Sequence, residues 1–174
     1  MIVFLTGATG SGKTDTAWGL VSALDTIVFL DCDWFASRSP FSWKLAADVE
    51  SVYRAIRSQI SFHLGERRTR FVVTLTLEMA AIYSSNYDSF AAFGLPIYAF
   101  RLVASGDTIK NRIVGRDRIQ KAEELDNALR QQADFDRLYP DEAIFSRIET
   151  DSLAACDVAQ TIVERVLSAS KVSS

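Results

Sequence analysis

Apolar positions along this chain fall into two alternating periods. Short runs without regular polar alternation recur at Ile2–Thr6, Thr26–Asp31, Phe71–Leu77, Pro96–Val103 and Ile144–Thr150, and bounded runs of this kind read as strands. Ile27-Val28-Phe29-Leu30 has no polar member at all, as expected of a parallel strand covered on both faces. Between the strands the period changes. Val49, Val52, Tyr53, Ile56, Ile60 and Leu64 repeat at helical spacing, while Asp48, Glu50, Arg54, Arg57 and Ser61 fall on other faces, which predicts an amphipathic helix. A later helix is predicted from Leu125, Leu129, Ala133 and Leu138, ending before Pro140. The last helix turns Val158, Ile162 and Val166 inward, and Ser168 to Ser174 is expected to fray into a polar tail. Alternating β and α predict a three-layer α/β fold with right-handed crossovers. No repeat, linker or break in composition divides residues 1–174, so a single domain is expected.

The first strand leads into Gly7-Ala8-Thr9-Gly10-Ser11-Gly12-Lys13-Thr14, which fits G-x-x-x-x-G-K-[ST] at every fixed position. A helix-compatible run, Asp15 to Leu24, leads out. In that context the glycines let the backbone curl so that successive N–H groups point at phosphate oxygens. The start of the next helix adds its unpaired donors and the positive end of its dipole. Lys13 is then placed for the β- and γ-phosphates and the Thr14 hydroxyl for Mg²⁺. Nucleoside triphosphate binding is the prediction.

The second strand ends in Asp31-Cys32-Asp33. If the chain is still extended there, Asp31 and Asp33 point to one side and Cys32 to the other. Ligands of open α/β sheets bind beyond the carboxyl ends of the strands, which would bring both carboxylates near the phosphate loop. One acid beside Mg²⁺ and one facing an acceptor hydroxyl suit phosphoryl transfer. The plainer alternative is that one or both cap the following turn or helix.

With these motifs the chain resembles the small-molecule kinases of the P-loop class: shikimate kinase, gluconate kinase, adenylyl-sulfate kinase and chloramphenicol phosphotransferase. The resemblance implies a five-stranded parallel sheet in the order 2-3-1-4-5, ATP as donor and Mg²⁺ as cofactor. In such kinases the first Asp holds a magnesium-bound water and the second contacts or deprotonates the acceptor hydroxyl; these roles carry over to Asp31 and Asp33. Phe100-Arg101-Leu102-Val103-Ala104-Ser105, followed by Thr108 to Arg118, is similar to the strand, helix and arginine-rich lid of the class, with the lid at about 115–124. The resemblance places Arg112 to stack on adenine, and Arg116 and Arg118 to close on the phosphates about a hinge at Gly115. Ile148-Glu149-Thr150-Asp151 resembles the last strand and the loop beside adenine, which brings in Thr150. A solvated basic helix end is the alternative for each arginine.

The chain also departs from that class. Its third strand, Phe71 to Leu77, lacks an Asp at the carboxyl end, leaving Thr74, Thr76 or Glu78 as substitutes. The triple glycine of shikimate kinase and the substrate sequences of gluconate kinase are absent, so neither substrate is transferred. An acceptor-side segment at about 34–64 opens with Trp34-Phe35-Ala36-Ser37-Arg38-Ser39-Pro40-Phe41-Ser42-Trp43. Its aromatics, Trp34 first, suit a ring-bearing acceptor and Arg38 an acidic substituent; alternatively Trp34, Phe41 and Trp43 anchor the segment to the core. His63, Arg67-Arg68-Thr69-Arg70 and Cys156 read as ordinary structural or solvated features.

A net charge of −3 and a pI of about 5.2 set no field for nucleic acid or anionic membrane. No apolar run reaches the ~20 residues that span a bilayer, and the strand at the start of the sequence leaves no room for a signal peptide. Two isolated cysteines and one histidine argue against a disulfide framework or a thiolate zinc site and for a reduced, cytoplasmic protein. The expected activity is ATP- and Mg²⁺-dependent transfer of a phosphoryl group to a hydroxyl of a small molecule, with Lys13, Asp33 and Arg116 as the catalytic set. A nucleoside or nucleotide kinase, and a nucleotide-binding regulator without a dedicated acceptor, are the alternatives.

Overall fold

A computed structural model describes residues 1–115, 121–139 and 144–172, with residues 121 and 170–172 described by backbone alone. The chain runs β1 (Ile2–Thr6), α1 (Lys13–Ala23), β2 (Ile27–Leu30), α2 (Cys32–Ala36), α3 (Ala46–Gly65), β3 (Arg70–Thr74) and α4 (Leu77–Ala81). It continues through α5 (Tyr83–Ala91), β4 (Ile97–Val103), α6 (Gly106–Val114), α7 (Lys121–Leu138), β5 (Ser146–Glu149) and α8 (Ala155–Val172). The strands form one five-stranded sheet in the order β2-β3-β1-β4-β5, and every pairing is parallel.

The unbroken apolar runs follow from burial on both faces of this sheet. In β1, Ile2 and Phe4 join one core with Val52, Tyr53, Ile56 and Ile60 of α3. Val3 and Leu5 point the other way, into a core with α1 and with Val158, Ile162 and Val166 of α8. Period-2 geometry sends alternate residues to opposite layers, so both sets must be apolar. Rings complete the first core: Phe4 meets Tyr83 and Phe90 edge-on at centroid distances of 5.2 and 5.0 Å. The Tyr53 hydroxyl, deep among them, donates to the Met79 carbonyl at 2.8 Å.

Several boundaries differ from the periodic reading, each for a local reason. β3 stops at Thr74, short of Leu77, because Thr76 accepts a hydrogen bond from the Met79 amide and starts α4. The inward face of α7 is not the Leu125–Leu129–Ala133–Leu138 stripe. Ala128 and Phe135 are buried, Leu125 partly so, while Leu129, Ala133 and Leu138 are exposed. α7 turns a different face inward because Arg101 of β4 holds its last turn. The buried Arg101 guanidinium pairs with Asp136, donates to the Phe135 and Tyr139 carbonyls and lies over the Phe135 ring, so it also satisfies helix-end carbonyls. α8 continues through Val172 where a fraying tail was expected.

α1 and α8 approach closely at Gly19. A Cβ there would stand 2.9 Å from the Ala159 Cβ and 3.2 Å from the Ala155 carbonyl oxygen. Gly19→Leu is therefore expected to lower the unfolding free energy by about 1–3 kcal/mol, the usual cost of overpacking, in urea titrations; an unchanged midpoint would mean that these helices do not meet there.

Candidate functional site

The loop between β1 and α1 is shaped by backbone that only glycine adopts easily. Gly7, Gly10 and Gly12 have φ of 143°, 83° and 99°. At Gly7 a second constraint applies, since a Cβ would fall 2.3 Å from the Leu102 carbonyl oxygen of β4. The loop thus folds against the neighbouring strand before entering α1, whose first residue is Lys13. Lys13 Nζ donates to the carbonyls of Gly7 and Ala8 at 2.7 and 3.1 Å, so the ammonium lies within the curl of the loop. Ser11 Oγ is buried there without a hydrogen-bond partner among the described residues.

A cavity of about 980 Å³ opens over this loop, at the upper end of the ~300–1,000 Å³ usual for ligand pockets. Gly7, Thr9, Gly10, Gly12, Lys13 and Thr14 line one side; Asp31, Cys32 and Asp33 line it from the end of β2. Ala8 is buried below, against α6.

Asp31 and Asp33 come together by a route other than strand alternation. Asp31 is the N-cap of α2, with φ −82° and ψ 124°, and its side chain accepts from the Asp33 amide at 3.1 Å. The chain has therefore already turned helical at Cys32, because an Asp in this place satisfies a helix-start donor. Capping and convergence on the cavity occur together. The Thr74 hydroxyl donates to Asp31 Oδ1 at 3.0 Å and accepts from the Cys32 amide at 3.3 Å. Thr74 thus occupies the third-strand position where an acid was missing, and it braces Asp31 by hydrogen bonding.

The ligand atoms of Asp31, Cys32 and Asp33 lie within 4.8 Å of one another. Their chemistry separates them. Burial, reinforced by the charges of Asp33 and Asp31, pushes the Cys32 thiol well above its ordinary range, so it stays protonated. The remaining donors, two carboxylates and the Thr14 hydroxyl across the cavity, are hard oxygens that suit Mg²⁺. The unpartnered Ser11 hydroxyl and the Cβ-free, positive-φ loop likewise fit a phosphate chain.

Arg112 of α6 joins the far side. Its Nη1 donates to the Gly10 and Ser11 carbonyls at 3.3 and 3.2 Å and to Thr150 Oγ1 at 3.1 Å; Nη2 donates to the Thr150 carbonyl at 2.6 Å. Thr150 is buried and holds Arg112 without lining the cavity. Arg116 and Arg118, with the rest of 116–120 in the expected lid at 115–124, lie outside the described residues.

Two acceptor-side assignments do not fall on the cavity. Trp34, about half exposed, packs on Phe29 at 5.2 Å, because the helical turn of α2 carries it to the β2 edge. Arg38 pairs with Asp48 and donates to Ser51. Trp43 lines the cavity in their place. The periodic reading also missed Gln131 of α7, whose Oε1 accepts from the Thr9 amide and hydroxyl at 2.9 and 3.0 Å. The signal was present as polar residues Glu124, Asn127 and Gln131, spaced along one helix face, and all three line the cavity.

A family model described as an AAA domain matches residues 2–138. The chain belongs to that family. Comparison with curated proteins found no match. Among solved structures, this AAA-domain chain is similar to the tunicamycin resistance protein of Deinococcus radiodurans, with 18% identity, TM-score 0.65, and 95% of this chain and 94% of the other covered. It is similar to a sugar kinase from Janibacter sp. HTCC2649, with 19% identity, TM-score 0.64, and 94% and 92% coverage. Shikimate kinase from Acinetobacter baumannii, in complex with shikimate, gives 24% identity, TM-score 0.58, and 96% and 93% coverage. At these identities the likeness is one of fold, and the fold is that of a P-loop kinase.

Because burial keeps the Cys32 thiol protonated and covered while Cys156 is exposed, one thiol is expected to react with a disulfide reagent in the native protein and two after denaturation. The raised thiol pKa also means that stability is intact below the unfolded-chain thiol pKa of ~8.5 and declines as pH rises above it. Rapid native reaction of both thiols would contradict the packing described.

Proposed function

We propose that this chain is an ATP- and Mg²⁺-dependent phosphotransferase that moves the γ-phosphoryl group to a hydroxyl of a small molecule. The observation that carries the reading is that Lys13, Asp31 and Asp33 line one cavity over the phosphate loop. The loop amides and Lys13 grip the phosphates. Thr14 and Asp31 would hold the metal, and Mg²⁺ would supply charge neutralisation at the transferring group. Asp33 orients the acceptor hydroxyl and takes its proton as the new O–P bond forms and the bond to the departing diphosphate breaks. Arg112 fixes the loop beside the nucleotide, with Thr150 behind it. Arg116 as a catalytic cation and Arg118 as a nucleotide contact keep their proposed lid roles, guanidinium groups being suited to equatorial oxygens. The reading includes a cytoplasmic setting, consistent with the absence, among described residues, of any helix long and apolar enough to cross a membrane.

Acceptor-dependent ADP release should appear in a coupled assay with a panel of hydroxylated compounds. Asp33→Asn should reduce kcat by about 10²-fold or more while calorimetry still detects Mg–ATP; an unchanged kcat removes Asp33 from the chemistry.

One contact favours a second reading, a nucleotide-binding regulator. Gln131 occupies the Thr9 amide, a donor that the phosphate chain would use, so nucleotide entry displaces α7 from the loop. Removing this competitor by Gln131→Ala should tighten Mg–ATP binding by up to about tenfold, the worth of one net hydrogen bond. Weaker binding would mean that Gln131 assists the bound state. Slow hydrolysis unaffected by acceptors or by Asp33→Asn would favour the regulator.

A further inference from the structure

Thr74 is a buried residue at the junction of the two halves of the site. It ends β3, the strand between β1, which feeds the phosphate loop, and β2, which feeds Asp31. Its main chain is in register with Leu5 of β1, and the next residue, Leu75, donates its amide to the Leu5 carbonyl at 2.8 Å. The Thr6 hydroxyl, one residue before Gly7, donates to the Leu75 carbonyl at 3.3 Å. The backbone at Thr74 is therefore fixed to the base of the phosphate loop, while its side chain reaches Asp31.

The Thr74 hydroxyl has one hydrogen, and its neighbours decide where that hydrogen goes. The Cys32 amide can only donate, so at 3.3 Å it occupies a lone pair of Thr74 Oγ1. The hydrogen is left for Asp31 Oδ1 at 3.0 Å, nearer than the Cys32 sulfur at 4.0 Å. Asp31 Oδ1 also accepts from the Asp33 amide at 3.1 Å. Both hydrogen bonds that Asp31 accepts from described residues thus fall on one oxygen. They restrict rotation of the carboxylate and leave Oδ2 with no donor among the described residues. Thr74 and Asp31 are both buried, where such bonds are stronger than in water. The bond to Cys32 alone would satisfy a buried amide; the bond to Asp31 reaches a group that lines the cavity.

We propose that Thr74 is a positioning residue for the metal: its hydroxyl holds Asp31 Oδ1 so that Oδ2 serves the divalent cation, and β3 sets how far that carboxylate stands from the phosphate loop. The inference deepens the phosphotransferase reading and rests on its assignment of Thr14 and Asp31 to Mg²⁺. Partners that orient a metal-ligating carboxylate govern metal affinity without touching the ion.

The test measures ATP binding to the full chain by calorimetry, with EDTA and across a series of free Mg²⁺ concentrations, for the wild type, Thr74→Val and Thr74→Ser. Val keeps the branched shape and the strand preference and removes the hydroxyl. Thr74→Val should raise the Mg²⁺ concentration for half-maximal enhancement of ATP binding by about tenfold or more, and leave metal-free ATP affinity within about twofold. Cys32 should stay protected from a disulfide reagent in that variant, as in the wild type. Thr74→Ser should bring the Mg²⁺ requirement back to within about threefold of wild type. An unmoved Mg²⁺ requirement in Thr74→Val, or no recovery in Thr74→Ser, would overturn the assignment and leave the phosphotransferase standing. A parallel loss of metal-free ATP affinity, or a Cys32 that reacts in the native Thr74→Val chain, would make the hydroxyl merely structural and overturn it equally. Absence of any calorimetric signal with Mg–ATP in the wild type would instead remove the phosphotransferase reading and this one with it.

Discussion

The site depends on how closely β1 and β4 let the phosphate loop approach. Gly7 brings its main chain so near the Leu102 carbonyl that no side chain fits between them. The close approach turns the loop immediately above the sheet and sends Lys13 into the first turn of α1. β1 can fix that geometry because it is central in the sheet and wholly buried on both faces. A rigid strand entering a loop of left-handed glycines yields amide directions set before any ligand arrives, which lowers the ordering cost of binding.

The second wall is built by a different device. Asp31 ends β2 and begins α2, so one side chain serves as helix cap and as cavity lining. Thr74 reaches across from β3 and holds that carboxylate. A hydroxyl between two strand ends supplies a donor without adding charge, which leaves two carboxylates rather than three at this wall of the cavity. Cys32 between them is packed into the core and remains a neutral filler.

The third wall, α7, is held from its far end. Arg101 projects from β4 into the layer below α7 and ties down the last turn through Asp136 and two backbone carbonyls. Of the cavity-lining residues of α7, Glu124 and Asn127 stand toward the opposite end of that helix and Gln131 just past its middle. The Gln131 hydrogen bonds to Thr9 join the helix to the loop from near its middle. α7 thus has a tied last turn and a specific bond to the phosphate loop.

Much of this was legible in the residues themselves. The strands, the long α3 and the phosphate loop depend on local pattern: period-2 burial, 3.6-residue stripes, and glycines at fixed places before Lys13 and Thr14. That Asp31 and Asp33 would lie near the phosphate loop was legible, although their convergence comes from a helix cap and not from strand alternation. Tertiary structure decided the rest: Trp43 in place of Trp34, the quenching of Arg38 by Asp48, the face that α7 turns to the loop, and the burial of Arg101. Those outcomes are contacts between distant segments, such as Thr9 with Gln131 across 122 positions. A one-dimensional pattern records which residues want burial or a partner; only the packed chain determines which partner is within reach.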